Sequence, residues 1–87
     1  MINPQPGLTP ETLRGALLEA IPDAVVEVES LDGRHFSARI VSESFTGLPL
    51  LERHRRVYRA LGRPVGGAIH ALTLETLTPA ESQRART

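Results

Sequence analysis

The sequence contains no cysteine, no tryptophan and no lysine, and it has only one tyrosine and two phenylalanines among its 87 residues. Without cysteine the chain cannot form a disulfide, hold a metal through its own thiolates or use a cysteine nucleophile. Any metal chemistry must therefore use imidazole or carboxylate groups. Three aromatic side chains are too few for the base-stacking platform that readers of single-stranded nucleic acid usually have.

The motifs of common enzyme classes are also missing. There is no Gly-x-Ser-x-Gly elbow, no glycine-rich phosphate loop ending in lysine and no His-Glu-x-x-His pair. We therefore expect a protein that is not an enzyme. No apolar run approaches the roughly 20 residues that a membrane-spanning helix needs, and no basic N-terminal region leads into an apolar stretch. We expect a cytoplasmic protein with no membrane partner.

The length of the chain predicts one small domain. Residues 1–8 contain two prolines and a glycine without hydrophobic periodicity, so we interpret them as a flexible N-terminal arm. A single domain is expected over residues 9–85, followed by a polar tail at 86–87. Charge is unevenly distributed, because residues 1–52 carry three arginines and eight acidic side chains, whereas the remainder carries seven arginines and two acidic ones.

The hydrophobic pattern alternates between helical and strand periods and predicts six elements. They are, in order, a helix over about residues 10–20, strands over 24–29 and 35–42, a helix over 50–61, a strand over 68–77 and a short helix from Pro79. Thr9 before Pro10 is typical of a helix start, and Thr78 with Glu81 forms a capping box before the last helix. Glycines and a proline predict a flexible connection over residues 62–67.

This order of elements predicts an α+β fold. A short turn at Asp32-Gly33 joins the first two strands and favours an antiparallel hairpin. The helix over residues 50–61 is long enough to be a crossover, which would place the third strand parallel to the second with a right-handed connection. We therefore expect a three-stranded mixed sheet with helices covering one face.

The helix over residues 50–61 is strongly two-faced when its positions are placed at 100° per residue. Its apolar arc consists of Leu50, Leu51, His54, Val57, Tyr58 and Leu61. The side chains that point elsewhere are Arg53, Arg55, Arg56 and Arg59. These arginines could contact nucleic-acid phosphates, but a solvated helix face explains them equally well. We predict that His54, at the centre of the arc, is a structural histidine with satisfied hydrogen bonds.

The other two histidines, His35 and His70, are candidates for metal or proton chemistry. If the second and third strands are parallel neighbours, both histidines open their strands at the same edge of the sheet. Strand parity opposes their convergence, because His70 falls on the face of Leu72 and Leu74 whereas His35 alternates with Phe36. They would converge only if His35 left the pleat and belonged to the turn. Spacing alone therefore leaves a structural role open.

Five short motifs lie in order between residues 35 and 79. They are His35-Phe36, Ser42 followed by Phe45 and Gly47, Arg53-His54-Arg55 with Val57-Tyr58, Ile69-His70-Ala71-Leu72, and Thr78-Pro79. Together they resemble the BolA family. The resemblance implies a fold similar to the class II KH domain, which agrees with the order of elements derived above.

The resemblance also implies a function. BolA-like proteins are partners of monothiol glutaredoxins and share with them a two-iron two-sulfur cluster, whose thiolates come from the glutaredoxin and from glutathione. Matched by position, His70 corresponds to the family's C-terminal histidine ligand and His35 to the second ligand, in the turn before the second strand. Neutral histidine ligands raise the potential of such a cluster and make the site sensitive to pH. The isolated chain is then expected to hold no cofactor, as a monomer or weak dimer.

Two departures from the family pattern and two alternatives remain. The turn at residues 30–34 is short, which limits how far His35 can swing, and Ser82 stands where many relatives have tryptophan. The family is also associated with transcriptional regulation, so DNA, bound through the four arginines, is an alternative partner. KH domains clamp nucleic acid with a Gly-x-x-Gly loop, which this sequence lacks. The other alternative is a metal-free partner complex, whose affinity would be almost unchanged by His70→Ala.

Overall fold

The computed structural model describes residues 9–67 and 71–86. Its elements are α1 (Pro10–Ala20), β1 (Val25–Glu29), β2 (His35–Val41), a 3-10 turn (Glu43–Phe45), α2 (Leu50–Gly67), β3 (Ala71–Leu77) and α3 (Pro79–Arg86). The α+β class and the predicted order of helices and strands are confirmed. Both predicted helix starts are also confirmed, since Thr9 Oγ1 accepts from the Thr12 N–H and Thr78 and Glu81 form a reciprocal capping box.

The sheet is mixed, and its strands lie in the order β1-β2-β3. β1 pairs antiparallel with β2, and β2 pairs parallel with β3, so the predicted hairpin and crossover are both confirmed. The parallel register places His35 opposite Ala71 and Phe36 opposite Leu72. β2 is thus the central strand, and within the described ranges β1 and β3 form the edges.

The hydrophobic core lies between one face of the sheet and the helices α1 and α2. Its large buried side chains are Leu13, Leu17, Ile21, Val26, Phe36, Ile40, Phe45, Val57 and Leu61. Burying a side chain of this size contributes about 1.5–3 kcal/mol relative to leaving it exposed. The opposite face is mostly polar, with Glu27, Ser37 and Thr73 exposed. α3 reaches this face, where Ser82 Oγ accepts a long hydrogen bond of 3.5 Å from Arg39.

The chain between α2 and β3 differs from the prediction. Instead of a flexible connection over residues 62–67, α2 resumes after a break at Gly62, where φ is 74° and ψ is 173°, and continues to Gly67. The glycine ends the first helical segment as expected, but the chain then re-enters helical geometry. β3 begins at Ala71, and residues 68–70, which the pattern assigns to the strand, lie outside the described residues.

The apolar arc of α2 is wider than its contact with the rest of the domain. Val57 and Leu61 are buried as predicted, whereas Leu50, Leu51 and Tyr58 remain 59%, 61% and 51% exposed. α1 packs against the same face of the sheet, so α2 contacts the core along a narrow stripe only. None of the described helices is long and apolar enough to cross a membrane.

Both edge strands receive an arginine side chain from the helix layer. Nε of Arg14, on α1, donates to the carbonyl of Val26 at 3.1 Å, and Nη1 of Arg53, on α2, donates to the carbonyl of Thr76 at 3.1 Å. Edge strands carry backbone groups that can pair with another chain unless they are covered. Each guanidinium engages one of these carbonyls and ties its helix to the sheet.

Candidate functional site

The turn between β1 and β2 is built around Asp32. Its Oδ1 accepts hydrogen bonds from the backbone N–H groups of Arg34 and His35, each at 2.9 Å. Ser30 Oγ donates to the carbonyl of His35 at 2.7 Å and accepts from the N–H of Gly33 at 2.9 Å. Such side-chain bonds to the local backbone are typical of Asx and Ser/Thr turns. They fix the residue at which β2 begins.

The imidazole of His35 stands at this first position of β2. Its side chain is 65% exposed, and Nδ1 lies 2.7 Å from Oδ2 of Asp32. No hydrogen-bond partner of Nε2 is found among the described residues. The backbone N–H of His35, then that of Arg34 and then the His35 ring hold the pKa of the Asp32 carboxyl well below its usual range. Asp32 is therefore ionised at neutral pH.

A groove of about 680 Å³ opens beside His35. Three carboxylates, those of Glu11, Glu29 and Asp32, contribute to its lining, together with the fully exposed Leu31. The groove is open to solvent and acidic. The imidazole therefore faces a surface that another protein can reach.

His35 stays within the pleat of β2. It pairs in register with Ala71, and its neighbour Phe36 is buried on the opposite face of the sheet. The departure from the strand that convergence with His70 would need is therefore not observed for His35. His70, which directly precedes Ala71 in the sequence, lies outside the described residues. The pairing of the two histidines stays a prediction.

The donor atoms in the described part of the chain do not make a complete metal site. There, no group of three histidine or acidic side chains could hold a metal ion. His35 nevertheless has the arrangement common to metal-binding histidines: one ring nitrogen bonds to a carboxylate, and the other has no partner among the residues that the structure describes. The described residues can therefore supply one ligand, His35, to a metal centre that is shared with another molecule.

Arg53 does not lie on an exposed basic face, and the prediction that it points away from the packed surface is wrong. Its side chain is 12% exposed, and Nη1 and Nη2 donate to the carboxylate of Glu81 at 2.7 and 3.1 Å. It also donates to the carbonyls of Leu48 and Thr76, and its Cζ lies 6.0 Å from the centre of the Phe45 ring. The hydrogen bonds from Arg53, followed by that from the N–H of Thr78, lower the pKa of Glu81 to about 2, and the bond to Glu81 raises the pKa of Arg53.

The other three arginines of the predicted basic face are exposed on α2. Arg55 pairs with Glu52 at 3.0 Å, and Arg56 donates to the carbonyl of Ser44 at 3.3 Å. Arg59 completes the set. The candidate phosphate-binding surface therefore consists of Arg55, Arg56 and Arg59, without Arg53.

His54 is half-buried as expected, and its Nε2 is buried with no hydrogen-bond partner among the described residues, so the prediction of a satisfied imidazole stays a prediction. Asp32 has a role beyond the sequence interpretation. The pattern identified Asp32 as a turn residue and missed it as the partner of His35. The available signal was the spacing of three residues between a turn aspartate and a histidine.

These features define a small α+β domain with an exposed histidine at the start of its central strand. Comparison with known families identifies the domain: the model described as BolA-like protein matches residues 20–81, and the chain belongs to the BolA family. The resemblance inferred from the five sequence motifs is confirmed.

Individual relatives match most of this chain. It is 37% identical over 78 residues to human BolA-like protein 1, an alignment that covers 79% of this chain and 57% of the human protein. The chain therefore spans little more than half the length of that relative. The structure of a BolA homologue from Coxiella burnetii matches with a TM-score of 0.78 and 37% identity, covering 88% of this chain and 99% of that one.

Two further matches have names that bear on the candidate functions. The BolA domain of SufE1 from Arabidopsis thaliana has a TM-score of 0.71 and 32% identity, covering 83% of this chain and 93% of that domain. The Escherichia coli protein named DNA-binding transcriptional regulator BolA is 43% identical over 44 residues, which covers 51% of this chain and 42% of that protein.

Proposed function

We propose that this chain is a non-enzymatic adaptor that binds a monothiol glutaredoxin and supplies His35 and His70 as ligands to a two-iron two-sulfur cluster. The cluster bridges the two proteins, and its thiolate ligands come from the glutaredoxin and from glutathione. The adaptor acts in iron–sulfur trafficking or iron sensing, in the cytoplasm. Alone it holds no cluster and is a monomer or weak dimer.

The observation that carries this proposal is the exposed imidazole of His35, held through Nδ1 by Asp32 and without a partner at Nε2 among the described residues. Membership of the BolA family supports it. The absence of cysteine also supports it, because the sulfur ligands must then come from elsewhere. The existence of a BolA domain within SufE1 fits an adaptor, since the same module is used as one part of another protein.

The test is anaerobic reconstitution of the complex. The chain is mixed with a monothiol glutaredoxin, glutathione, iron and sulfide, and visible circular dichroism is recorded for wild type, His70→Ala and His35→Ala. We expect wild type to give a cluster spectrum different from that of the glutaredoxin homodimer. Each variant should lose or change that spectrum, because a neutral imidazole is a distinct cluster ligand.

His54→Gln provides the matched control, since His54 is the third histidine and lies half-buried on α2. Its spectrum should equal that of wild type. If wild type gives only the glutaredoxin spectrum, the cluster proposal is wrong for this chain. If the heterodimer forms equally well without iron and with His70→Ala, the partner is bound without a shared metal.

DNA binding is the second candidate. It is supported by the three exposed arginines of α2 and by the name of the Escherichia coli relative. The internal position of Arg53 weakens it, because one of the four expected phosphate contacts is engaged with Glu81. Experiment can distinguish the two candidate functions, since the adaptor needs a thiol-bearing partner and iron, whereas a DNA-binding regulator needs neither.

A further inference from the structure

Asp32 and His35 form a hydrogen-bonded pair with a defined direction. The two oxygens of Asp32 have different tasks: Oδ1 accepts from the backbone N–H groups of Arg34 and His35, and Oδ2 faces Nδ1 of the His35 ring. An ionised carboxylate can only accept hydrogen bonds. The ring nitrogen that faces it must therefore carry the hydrogen.

We propose that Asp32 is a positioning residue for His35: it holds the neutral imidazole as the Nδ1–H tautomer, so that Nε2 is the atom offered to a metal. The step to the metal rests on the proposed function, whereas the tautomer is a property of the chain alone. A side chain that is 65% exposed would otherwise sample several ring orientations and both tautomers. The hydrogen bond to Asp32 selects one ring orientation and one tautomer.

The turn makes this selection possible because it fixes the carboxylate. Two backbone N–H groups hold Oδ1 at 2.9 Å, and the bonds of Ser30 to Gly33 and His35 close the turn around it. Rotation of the carboxylate away from the ring would leave both N–H groups without their acceptor. A carboxylate that bonds the non-ligating nitrogen of a histidine in this way orients the ring and raises its basicity toward a metal.

Asp32→Asn should invert the tautomer without opening the turn. The amide oxygen is the only atom of asparagine that can accept from the N–H groups of Arg34 and His35, so it takes the place of Oδ1. The NH₂ group then takes the place of Oδ2, facing His35 Nδ1, and donates to it. The neutral ring must carry its hydrogen on Nε2, as in catalytic triads in which aspartate is replaced by asparagine.

The first measurement is the tautomer of His35 in the isolated chain. Long-range ¹H–¹⁵N correlation spectra at about pH 9, above the range in which imidazoles ordinarily titrate, distinguish the two ring nitrogens by their chemical shifts. We expect the Nδ1–H form in wild type and the Nε2–H form in Asp32→Asn. Backbone amide shifts of β1 and β2 should stay close to wild type, which verifies that the turn is intact.

Glu29→Gln is the matched control, because Glu29 lines the same groove and forms no hydrogen bond to His35. It removes the same charge and should leave the tautomer unchanged. An Nε2–H form in wild type, or an equal change in Glu29→Gln, would overturn the assignment of Asp32. Neither result would bear on whether a cluster forms.

The second measurement concerns the metal. In the reconstituted complex, Asp32→Asn should lower the resistance of the cluster to an iron chelator about 10–100-fold, the usual effect of losing such a partner. The same change made in His35→Ala should have no further effect, because the residue it positions is gone. If Asp32→Asn lowered the resistance to the chelator equally in wild type and in His35→Ala, Asp32 would act on the cluster by a route other than His35. If wild type forms no cluster, the proposed function fails while the tautomer result stands.

Discussion

The contacts of Glu81 show how one side chain can serve both a helix start and a tertiary ion pair. Its Oε1 accepts from the N–H of Thr78, completing the capping box, and also from Arg53 Nη1. The hydrogen bonds from Arg53, followed by that from Thr78, lower the pKa of Glu81 from 4.5 to about 2. The stabilising effect of this carboxylate therefore depends on pH.

Glu81→Gln isolates that dependence, because glutamine can still complete the capping box. Between the unfolded pKa of 4.5 and the folded pKa of about 2, only the unfolded chain binds the proton. The contribution of the carboxylate is thus complete above pH 4.5 and is lost as the pH falls through 2. We expect the free energy of unfolding of wild type, from urea titrations, to exceed that of Glu81→Gln at neutral pH and to approach it near the folded pKa.

Glu19→Gln, at an exposed position of α1, is the control and should follow the wild-type pH profile. A difference between wild type and Glu81→Gln that stayed constant from neutral to strongly acidic pH would contradict the ion pair with Arg53.

Ser42 joins three parts of the chain at the end of β2. It is 1% exposed, its Oγ donates to the Asp23 carboxylate at 2.9 Å and accepts from the N–H of Ser44 at 3.0 Å, and its own N–H donates to the carbonyl of Leu77. Ser42→Ala removes these two side-chain bonds and a third, to Ser44 Oγ at 2.7 Å, and should lower the free energy of unfolding by about 1–3 kcal/mol, measured by urea denaturation. Ser44→Ala removes only the bond between the two hydroxyls, keeps the N–H that bonds to Ser42 and should have a smaller effect. Equal losses would count against a central role for Ser42.

At the scale of single residues, the sequence predicts which side chains are candidates for a function but not which groups they bond to. His35 was identified by its residue type and by its motif, yet its bond to Asp32 depends on the conformation of the turn. Arg53 was assigned to a solvated face because a helical projection gives only a direction. Its partner Glu81 lies 28 positions further along the chain, on another helix. Such a contact arises from tertiary packing, which periodicity does not encode.

At the scale of elements, periodicity and turn chemistry predicted most of the fold. The hairpin and the parallel β2–β3 pair were both predicted, because a short turn and a long crossover each allow few topologies. The helical continuation after Gly62 was missed, because glycine and proline indicate a break in a helix but not the conformation of the residues after the break. The 3-10 turn over Glu43–Phe45 was missed because three residues are too few for a periodic signal.

Gly62, at the break in α2, should be sensitive to substitution. Its φ of 74° with ψ of 173° is a combination that essentially only glycine adopts, so Gly62→Ala should lower the free energy of unfolding by about 1–3 kcal/mol. Gly15 lies exposed in the interior of α1, and a Cβ there meets nothing within 4 Å. Gly15→Ala should raise the free energy of unfolding by about 0.5–1 kcal/mol.

The two alanine variants make a matched pair in thermal and urea denaturation. Opposite signs are expected because one glycine sits at a backbone angle that alanine avoids and the other in ordinary helix. If Gly62→Ala were neutral, the two segments of α2 would have to join through a conformation open to all residues.

At the scale of the whole molecule, the uneven charge distribution acquires a spatial meaning. The groove beside His35 carries Glu11, Glu29 and Asp32, whereas three exposed arginines, Arg55, Arg56 and Arg59, lie together on α2. The candidate ligand therefore borders an acidic groove, and a partner that binds in this groove to reach His35 must meet these carboxylates. The basic surface is separate, so binding of nucleic acid there need not compete with binding at the groove.

The size of that basic surface limits any DNA affinity it can provide. With Arg53 engaged by Glu81, the described side chains of this surface that are left to contact phosphates are Arg55, Arg56 and Arg59. For three contacts, the logarithm of the binding constant should fall with the logarithm of salt concentration with a slope no steeper than about −2.7. We expect fluorescence anisotropy with duplex DNA to show this shallow slope, and Arg59→Gln to make it about 0.9 shallower. Arg34→Gln, in the β1–β2 turn, should leave it unchanged. A slope of about −6 that survived Arg59→Gln would place the DNA-binding surface elsewhere on the molecule.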